Sequence, residues 1–487
     1  MADLIAHFAA AVERFPNRTA IVDGKGHQIS FQQLHSRMQK LAGRWHTKGI
    51  RPGDRVLLAM PVDADLYASL AALWSLGATV VLPEPAMGLA GLRHAARATS
   101  PKAFCAAGVY SLLKFLIPEL WRLRLLTPNE SPGSPPNHQI RADDTALISF
   151  TSGTTGQPKA IPRSHAFLMA QHDAIAPLLE SDKAERDLVA FPVFTLINLA
   201  AGRTTVMPNW RLSKLDRLAP THLAGWIQKQ RVTRALIPPS ICEKLTQTHN
   251  TGQLNTVFTG GGPVFPDLVD TLRTRNGLSV VCVYGSTEAE PIAHLDATDI
   301  SEHDHRQMAE GKGLLVGYPV PEIILRICDN EIQVAGAHVN DGYLDPAHSG
   351  ENKIIEGAVI WHRTGDAGTL DEEGRLWLWG RVGSEIEVKS DLLFPFAIEV
   401  AARQWPGVSR CALINTGTGP TLCVEGRCDH IQDWRKFASD FGVPNVISVH
   451  KIPMDKRHAS KVDRSELERI VARLCNTGRN HGKAPSH

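Results

Sequence analysis

No charge of one sign dominates this chain. Its 487 residues carry 52 Lys and Arg against 50 Asp and Glu, a net +2. So small an excess makes no strong field, which argues against nucleic acid or an anionic membrane surface as the main partner. Paired cysteine is lacking too. The eight cysteines stand at 105, 242, 282, 328, 411, 423, 428 and 475, with no CxxC and no histidine pair at zinc spacing near Cys423 and Cys428. They read as small apolar core residues in a reducing compartment. No apolar run reaches transmembrane length: the most apolar segment, 103–126, is interrupted by Lys114, Pro118, Glu119 and Arg122. The opening MADLIAHFAAAVERF has Asp3 and no basic n-region, and reads as a helix rather than a signal. These absences predict a cytoplasmic chain with no membrane span. Internal repeats are absent as well.

What is present is a length suited to two or three domains and a globular composition, 43% hydrophobic and 21% charged. Over the first 290 residues strand-like and helix-like periods alternate. Strands are expected at 55–60, 79–82, 146–150, 188–191, 204–207, 234–237, 256–259 and 279–283, and helices at 31–46, 66–76, 164–179, 223–230 and 267–275. Such βαβ repetition implies parallel sheet with helices on both faces. From about 311 the pattern turns to short strands, including a hairpin over 369–380 with its turn at 372–374. A smaller mixed region follows, with strands near 385–389, 408–414 and 421–425 and a closing amphipathic helix at 463–474. The polar tail 476–487 is expected to be disordered.

The densest chemistry lies in FTSGTTGQPKAIPRSH, residues 150–165. Thr151, Ser152, Gly153, Thr154, Thr155, Gly156 and Lys159 follow the apolar run 146–150. Glycine-rich backbone can converge its N–H groups on a phosphate, hydroxyls add donors, and the lysine adds a mobile charge. The spacing is not GxxxxGK[ST], so the common NTPase loop is excluded. Two more small-residue loops follow strands. Gly260, Gly261 and Gly262 leave room for a flat ring to approach the backbone. In Tyr284, Gly285, Ser286, Thr287 and Glu288, the tyrosine can stack, the threonine can donate to a phosphate, and Glu288 can hold Mg²⁺. Loops at the carboxyl ends of parallel strands are where α/β sheets bind ligands. Taken singly, each of these residues is equally at home as a turn, core or surface residue.

Together, and in this order, the three loops resemble those of the adenylate-forming superfamily, which includes acyl-CoA synthetases, luciferases and peptide-synthetase adenylation domains. The resemblance extends to Thr364-Gly365-Asp366, Gly380-Arg381 and Ser460-Lys461-Val462-Asp463-Arg464, and covers nearly the whole chain. It implies an α/β fold: a large N-terminal domain (1–380) of parallel sheets flanked by helices with a distorted β-barrel-like part, a hinge at 381–384, and a small mobile α+β lid domain (385–475). It implies ATP and Mg²⁺, with Asp366 placed on a loop after the strand 358–361, both ribose hydroxyls on Asp366, Arg381 beside the sugar or phosphate, and Lys461 between the reacting carboxylate and the α-phosphate. The implied reaction is acyl-AMP formation from a carboxylic acid with release of pyrophosphate, then acyl transfer to CoA or a carrier-protein thiol.

The sequence departs from the superfamily pattern mainly around the second step. Gly383 replaces the usual hinge Asp or Lys, Ser390 a glycine, Ala397 a glutamate, and Ser460 the glycine before the lysine, while Thr195 stands where a histidine or aromatic is common. The runs WHRTGDAGTLDEEGRLWLWGR and FPVFTLINLAAGRTTVMP are similar to the branch containing olefin-pathway β-lactone synthetases. There the substrate's 3-hydroxyl displaces AMP and no thiol is needed, which is the alternative second step. The apolar stretch 191–202 carries no charge to pair with an α-amino group, so a fatty, aryl or hydroxy-acyl acid is expected. If the chain self-associates, a homodimer is the ordinary expectation.

Overall fold

The computed structural model describes residues 3–83, 87–129, 138–151, 158–248, 250–388, 391–417, 419–454 and 461–480. Two large sheets dominate them. One has six strands, in the order Arg124–Leu126, Ala103–Ala106, Arg55–Ala59, Thr79–Leu82, Thr145–Thr151, Lys159–Ser164. All neighbours are parallel except the last pair, a hairpin that sets Thr151 opposite Lys159. Apolar strands of this kind are buried on both faces: Val56, Leu57, Val80, Val81, Phe104 and Ile148 are all essentially inaccessible.

The other sheet has 14 strands. Its parallel half includes Arg186–Val189, Arg234–Leu236, Thr256–Gly260 and Ser279–Ser286. At Ser279–Ser286 the direction rule changes. Ala289–Asp296 returns antiparallel, and Leu314–Pro319, Leu376–Arg381, Val359–Leu370 and Glu331–Ala335 continue antiparallel from there. This antiparallel half corresponds to the part expected to be barrel-like. A small C-terminal α/β domain is built on the sheet Val408–Thr416, Gly419–Gly426, Asn445–Ser448, around a core containing Leu413, Leu422, Trp434 and Val446. It docks on the rest through Arg403 and Asp267 (2.6 Å), Arg410 and Glu243, and the rings of Phe265 and Phe396, 6.0 Å apart. Among the described residues no helix is long and apolar enough to cross a membrane.

Several boundaries differ from expectation for physical reasons. The helix expected over 164–179 ends its α-helical part at Ile175 and tightens into a 3-10 turn, Ala176–Leu179, because Pro177 has no N–H to continue the ladder. The strand expected over 188–191 is Arg186–Val189, since Pro192 starts the helix Pro192–Ala200 immediately afterwards. The closing helix is longer than expected. Arg464–Asn480 runs into the tail read as disordered, so 476–480 is helical: with Asp463 accepting from the Glu466 N–H, the nucleated helix propagates cheaply. The cysteines at 105, 242, 411 and 423 are buried as core residues, while Cys328 and Cys428 are exposed.

Candidate active site

The two stretches expected to meet adenine and Mg²⁺ come from adjacent strands. Gly260 pairs with Val283, and a side chain at Gly260 would run into the Val283 carbonyl oxygen, so only glycine lets these strands approach. Gly261 follows with φ +73°, its open side toward the Phe191 ring. Tyr284, Gly285 and Ser286 were expected in a loop. They are the last residues of the strand Ser279–Ser286, and Tyr284 and Ser286 pair with Ala293 and Ala289 of the returning strand. Thr287 and Glu288 form the tight turn between the two strands. Switching from parallel to antiparallel neighbours is what turns the expected loop into a hairpin.

Asp366 is also in a strand rather than a loop. It lies inside Val359–Leu370, opposite Arg381. The cause is a continuous ladder to Leu376–Arg381, interrupted by one bulge between Ala367 and Gly368. Tyr284 Oη donates to Asp366 Oδ2 at 2.7 Å, and Arg381 Nη1 donates to Oδ1 at 2.7 Å. Gly365, at φ +69°, makes room for the guanidinium: a Cβ there would lie 2.7 Å from Arg381 Nη2. The turn is held from behind by Glu331, which accepts from Arg363 Nε at 2.6 Å and the Gly365 N–H at 3.2 Å. Burial together with the Asp366 charge keeps the Tyr284 phenol protonated, its pKa well above the ordinary value.

Lys159 was expected as a mobile loop lysine. Instead it is the first residue of Lys159–Ser164, almost wholly buried, and its Nζ lies 2.7 Å from Glu351 Oε2. It also lies 5.5 Å from the centroid of the Tyr343 ring, whose hydroxyl donates to Glu288 Oε1 at 3.2 Å. Four residues on, Arg163 is buried on the same face of the strand and donates to the Thr287 carbonyl at 2.5 Å, fixing the turn that carries Glu288. Lys353 completes the surroundings. It donates to the Asn340 carbonyl, and burial pulls its amine down to about 8 against the attraction of Glu288. Desolvation pushes the half-buried Glu290 carboxyl up, with Arg163 pulling it back.

These contacts join Lys159, Tyr343 and Glu288 at one end and Tyr284, Asp366 and Arg381 at the other, with the 287–288 turn between them. Ser152 to Gly156 lie outside the described residues, as do Ser390 and Ser460. Lys461 is exposed in the C-terminal domain, just before Asp463 caps the closing helix. Sequence reasoning missed Arg163, Tyr343, Glu351 and Lys353. The alternation of Lys159, Ile161 and Arg163 on one strand face was a usable signal for the first; the others carry no local signature.

One carboxylate with a free oxygen fits Mg²⁺, which keeps most of its shell as water and phosphate oxygens. Glu288, half-buried and with Oε1 receiving, among the described residues, the 3.2 Å tyrosine bond alone, supplies that donor chemistry. Among the described residues no cluster of three or more His, Cys, Asp or Glu is arranged as a closed metal cage.

The fold and site define an ATP-dependent ligase that activates acids as acyl-adenylates. The chain belongs to the AMP-binding enzyme family, whose profile matches residues 8–344. Over 90% of both chains it is 27% identical to an olefin β-lactone synthetase of Stenotrophomonas maltophilia, and over 82% of both chains 26% identical to a feruloyl-CoA synthase of Amycolatopsis. The O-succinylbenzoate coenzyme A synthetase of Bacillus subtilis in complex with AMP shares the fold: TM-score 0.77 at 19% identity, covering 95% of this chain and 98% of that one.

Proposed function

We propose that this ligase activates an apolar hydroxy-acyl acid and closes it to a β-lactone through the acyl-AMP. The observation that carries the nucleotide part is the grip on Asp366. Tyr284 and Arg381 each occupy one carboxylate oxygen. Each oxygen keeps a second acceptor position, which a pair of ribose hydroxyls can fill. Gly260 to Gly262 form the floor for the base, and the hydroxyls of Thr151 to Thr155, with Lys159, receive the phosphates.

The substrate carboxylate attacks the α-phosphorus, the bond to pyrophosphate breaks, and acyl-AMP forms. Lys461 lies between the two anions and offsets the charge that builds on the phosphate oxygens. Bound through Glu288, Mg²⁺ supplies neutralisation of the phosphate charge. The C-terminal domain (385–475) brings Lys461 in by turning about 381–384. Gly383, at φ +79° with nothing within 4 Å of a Cβ, suits that swivel. In the second step the 3-hydroxyl oxygen attacks the acyl carbon. The C–O bond to AMP breaks, AMP leaves with the electron pair, and the hydroxyl proton passes to solvent.

Support for internal closure comes from the residues that depart near the hinge, Gly383, Ser390 and Ala397, and from the olefin β-lactone synthetase likeness. Glu399, the one carboxylate left beside Ala397, is committed inside the C-terminal core: it accepts from Arg464 at 2.7 Å and from the Leu413 N–H at 2.8 Å. Thioester formation with CoA or a carrier thiol is the second reading, favoured by the likeness to feruloyl-CoA synthase. Mass spectrometry decides between them. A 2-alkyl-3-hydroxy acid and a simple fatty acid are each incubated with ATP and Mg²⁺, with and without CoA. A β-lactone formed without thiol supports the proposal, and an acyl-CoA from either acid supports the second reading.

A further inference from the structure

The segment after the strand Ala103–Ala106 exposes more apolar surface than any folding role needs. Val109, Leu112, Phe115, Leu116 and Trp121 are between 59% and 75% exposed, while Ile117 and Leu120 from the same stretch are buried in the core beneath. The segment is therefore anchored, and its outward side chains are a separate feature. Val109, Leu112, Phe115 and Leu116 ride on one short helical stretch made of the 3-10 turn Gly108–Leu112 and the α-turn Leu113–Leu116, and Trp121 follows the turn Pro118–Leu120. Trp121 Nε1 donates to the Phe115 carbonyl at 3.1 Å, so the two ends of the patch are tied together. Single exposed apolar residues are ordinary, but five in thirteen residues are not.

The charges around the patch are mainly positive. Arg93 and Arg97 share a single carboxylate, Glu119, at 3.1 and 3.5 Å. Lys114 sits under the patch, donating to the Leu120 and Trp121 carbonyls at 3.3 and 3.1 Å. Arg122 follows Trp121 and is exposed. Four cations against one anion is a local excess that the near-neutral whole chain conceals.

We propose that this patch docks the enzyme on an anionic lipid surface. Protruding Trp, Phe and Leu tips with Lys and Arg beside them are the chemistry of an interfacial anchor: the apolar tips enter the headgroup boundary and the cations meet the lipid phosphates. The local cation excess selects an anionic occupant, and a lipid surface supplies phosphate charge and apolar depth together.

The test is co-sedimentation of the full chain with vesicles of phosphatidylcholine alone and of phosphatidylcholine mixed with phosphatidylglycerol. The mixed vesicles should bind at least about tenfold more protein, and salt should weaken the binding. The double variant Phe115→Asp/Leu116→Asp, and independently Leu112→Glu, should lose that binding at least about tenfold and keep ATP–pyrophosphate exchange with a water-soluble acid. Wild-type protein that stays in the supernatant with both vesicles overturns the proposal, as do variants that bind like wild type. So does a lipid-free dimer in sedimentation velocity that the variants dissociate, because the patch then belongs to a second copy of the chain. Failure of exchange with every acid, with vesicle binding intact, would instead count against the activity.

Discussion

Tyr284 and Arg381 hold Asp366 from opposite sides, each at 2.7 Å, although 82 residues separate Tyr284 from Asp366 in the chain. The carboxylate is thereby fixed before any nucleotide arrives. Asp366→Asn removes the charge that the proposal assigns to the ribose hydroxyls and should raise the KM for ATP by about 10- to 100-fold, the worth of hydrogen bonds to a charged group. Tyr284→Phe removes only the orienting bond and should raise it by roughly fivefold. Steady-state pyrophosphate exchange at varied ATP reads both, and equal effects from the two variants would contradict the assigned roles.

The ion pair between Lys159 and Glu351 occupies the amine that the proposal assigns to phosphate. Half-exposed Glu351 has its carboxyl held below the usual range by the Lys159 hydrogen bond and charge. If the triphosphate displaces it, Glu351→Gln should lower the KM for ATP by about two- to fivefold, the modest scale of an exposed pair. Lys159→Ala should raise it. An unchanged KM in both variants would remove Lys159 from the phosphate site.

Acid stability carries a specific signature at His362. Burial, helped by the nearby Lys353 charge, pulls its imidazole down to about 3 from an unfolded value of 6.5. Between those values the unfolded chain binds the proton and the folded one does not. Stability therefore falls as pH drops below about 6.5, with a slope of at most about 1.4 kcal/mol per pH unit from this group. Denaturant titrations at pH 6.5, 5.5 and 4.5 should show a flatter decline in His362→Asn. The slope will not vanish, because burial lowers His165, His294 and His338 in the same direction. A wild-type slope in the variant would contradict the assignment.

Lys461→Ala tests the cation that the proposal assigns to the transition state. Loss of one preorganised charge should cost at least about 10²-fold in pyrophosphate exchange. The side chain is exposed, and the contacts of an exposed charge are worth little, so thermal unfolding should shift by no more than a few degrees. Exchange near the wild-type rate would remove Lys461 from the mechanism.

Much of this arrangement is legible in the sequence because it is written locally. Thr79–Leu82 falls on its expected bounds, and the other parallel strands match within a few residues, since continuous apolar runs bounded by glycine turns are short-range patterns. The glycines at 260, 261 and 365 are likewise local, each imposed by a close approach or a positive φ. What escaped is long-range pairing. Asp366 sits in a strand because Arg381 pairs with it, and Tyr284 in a hairpin because Ala293 returns beside it. Glu351 reaches Lys159 across 192 positions, and no periodicity encodes that. The basic apolar patch at 109–121 was hidden by a balanced total charge, which averages away a local excess.

The central claim is attack by the acid's own oxygen on the α-phosphorus of ATP. It can be read directly with a substrate carboxylate labelled with ¹⁸O, turned over to completion, and mass analysis of the nucleotide product. The account predicts AMP carrying a labelled oxygen, left behind when the acyl group departs. Unlabelled AMP, or ADP in place of AMP, would contradict it.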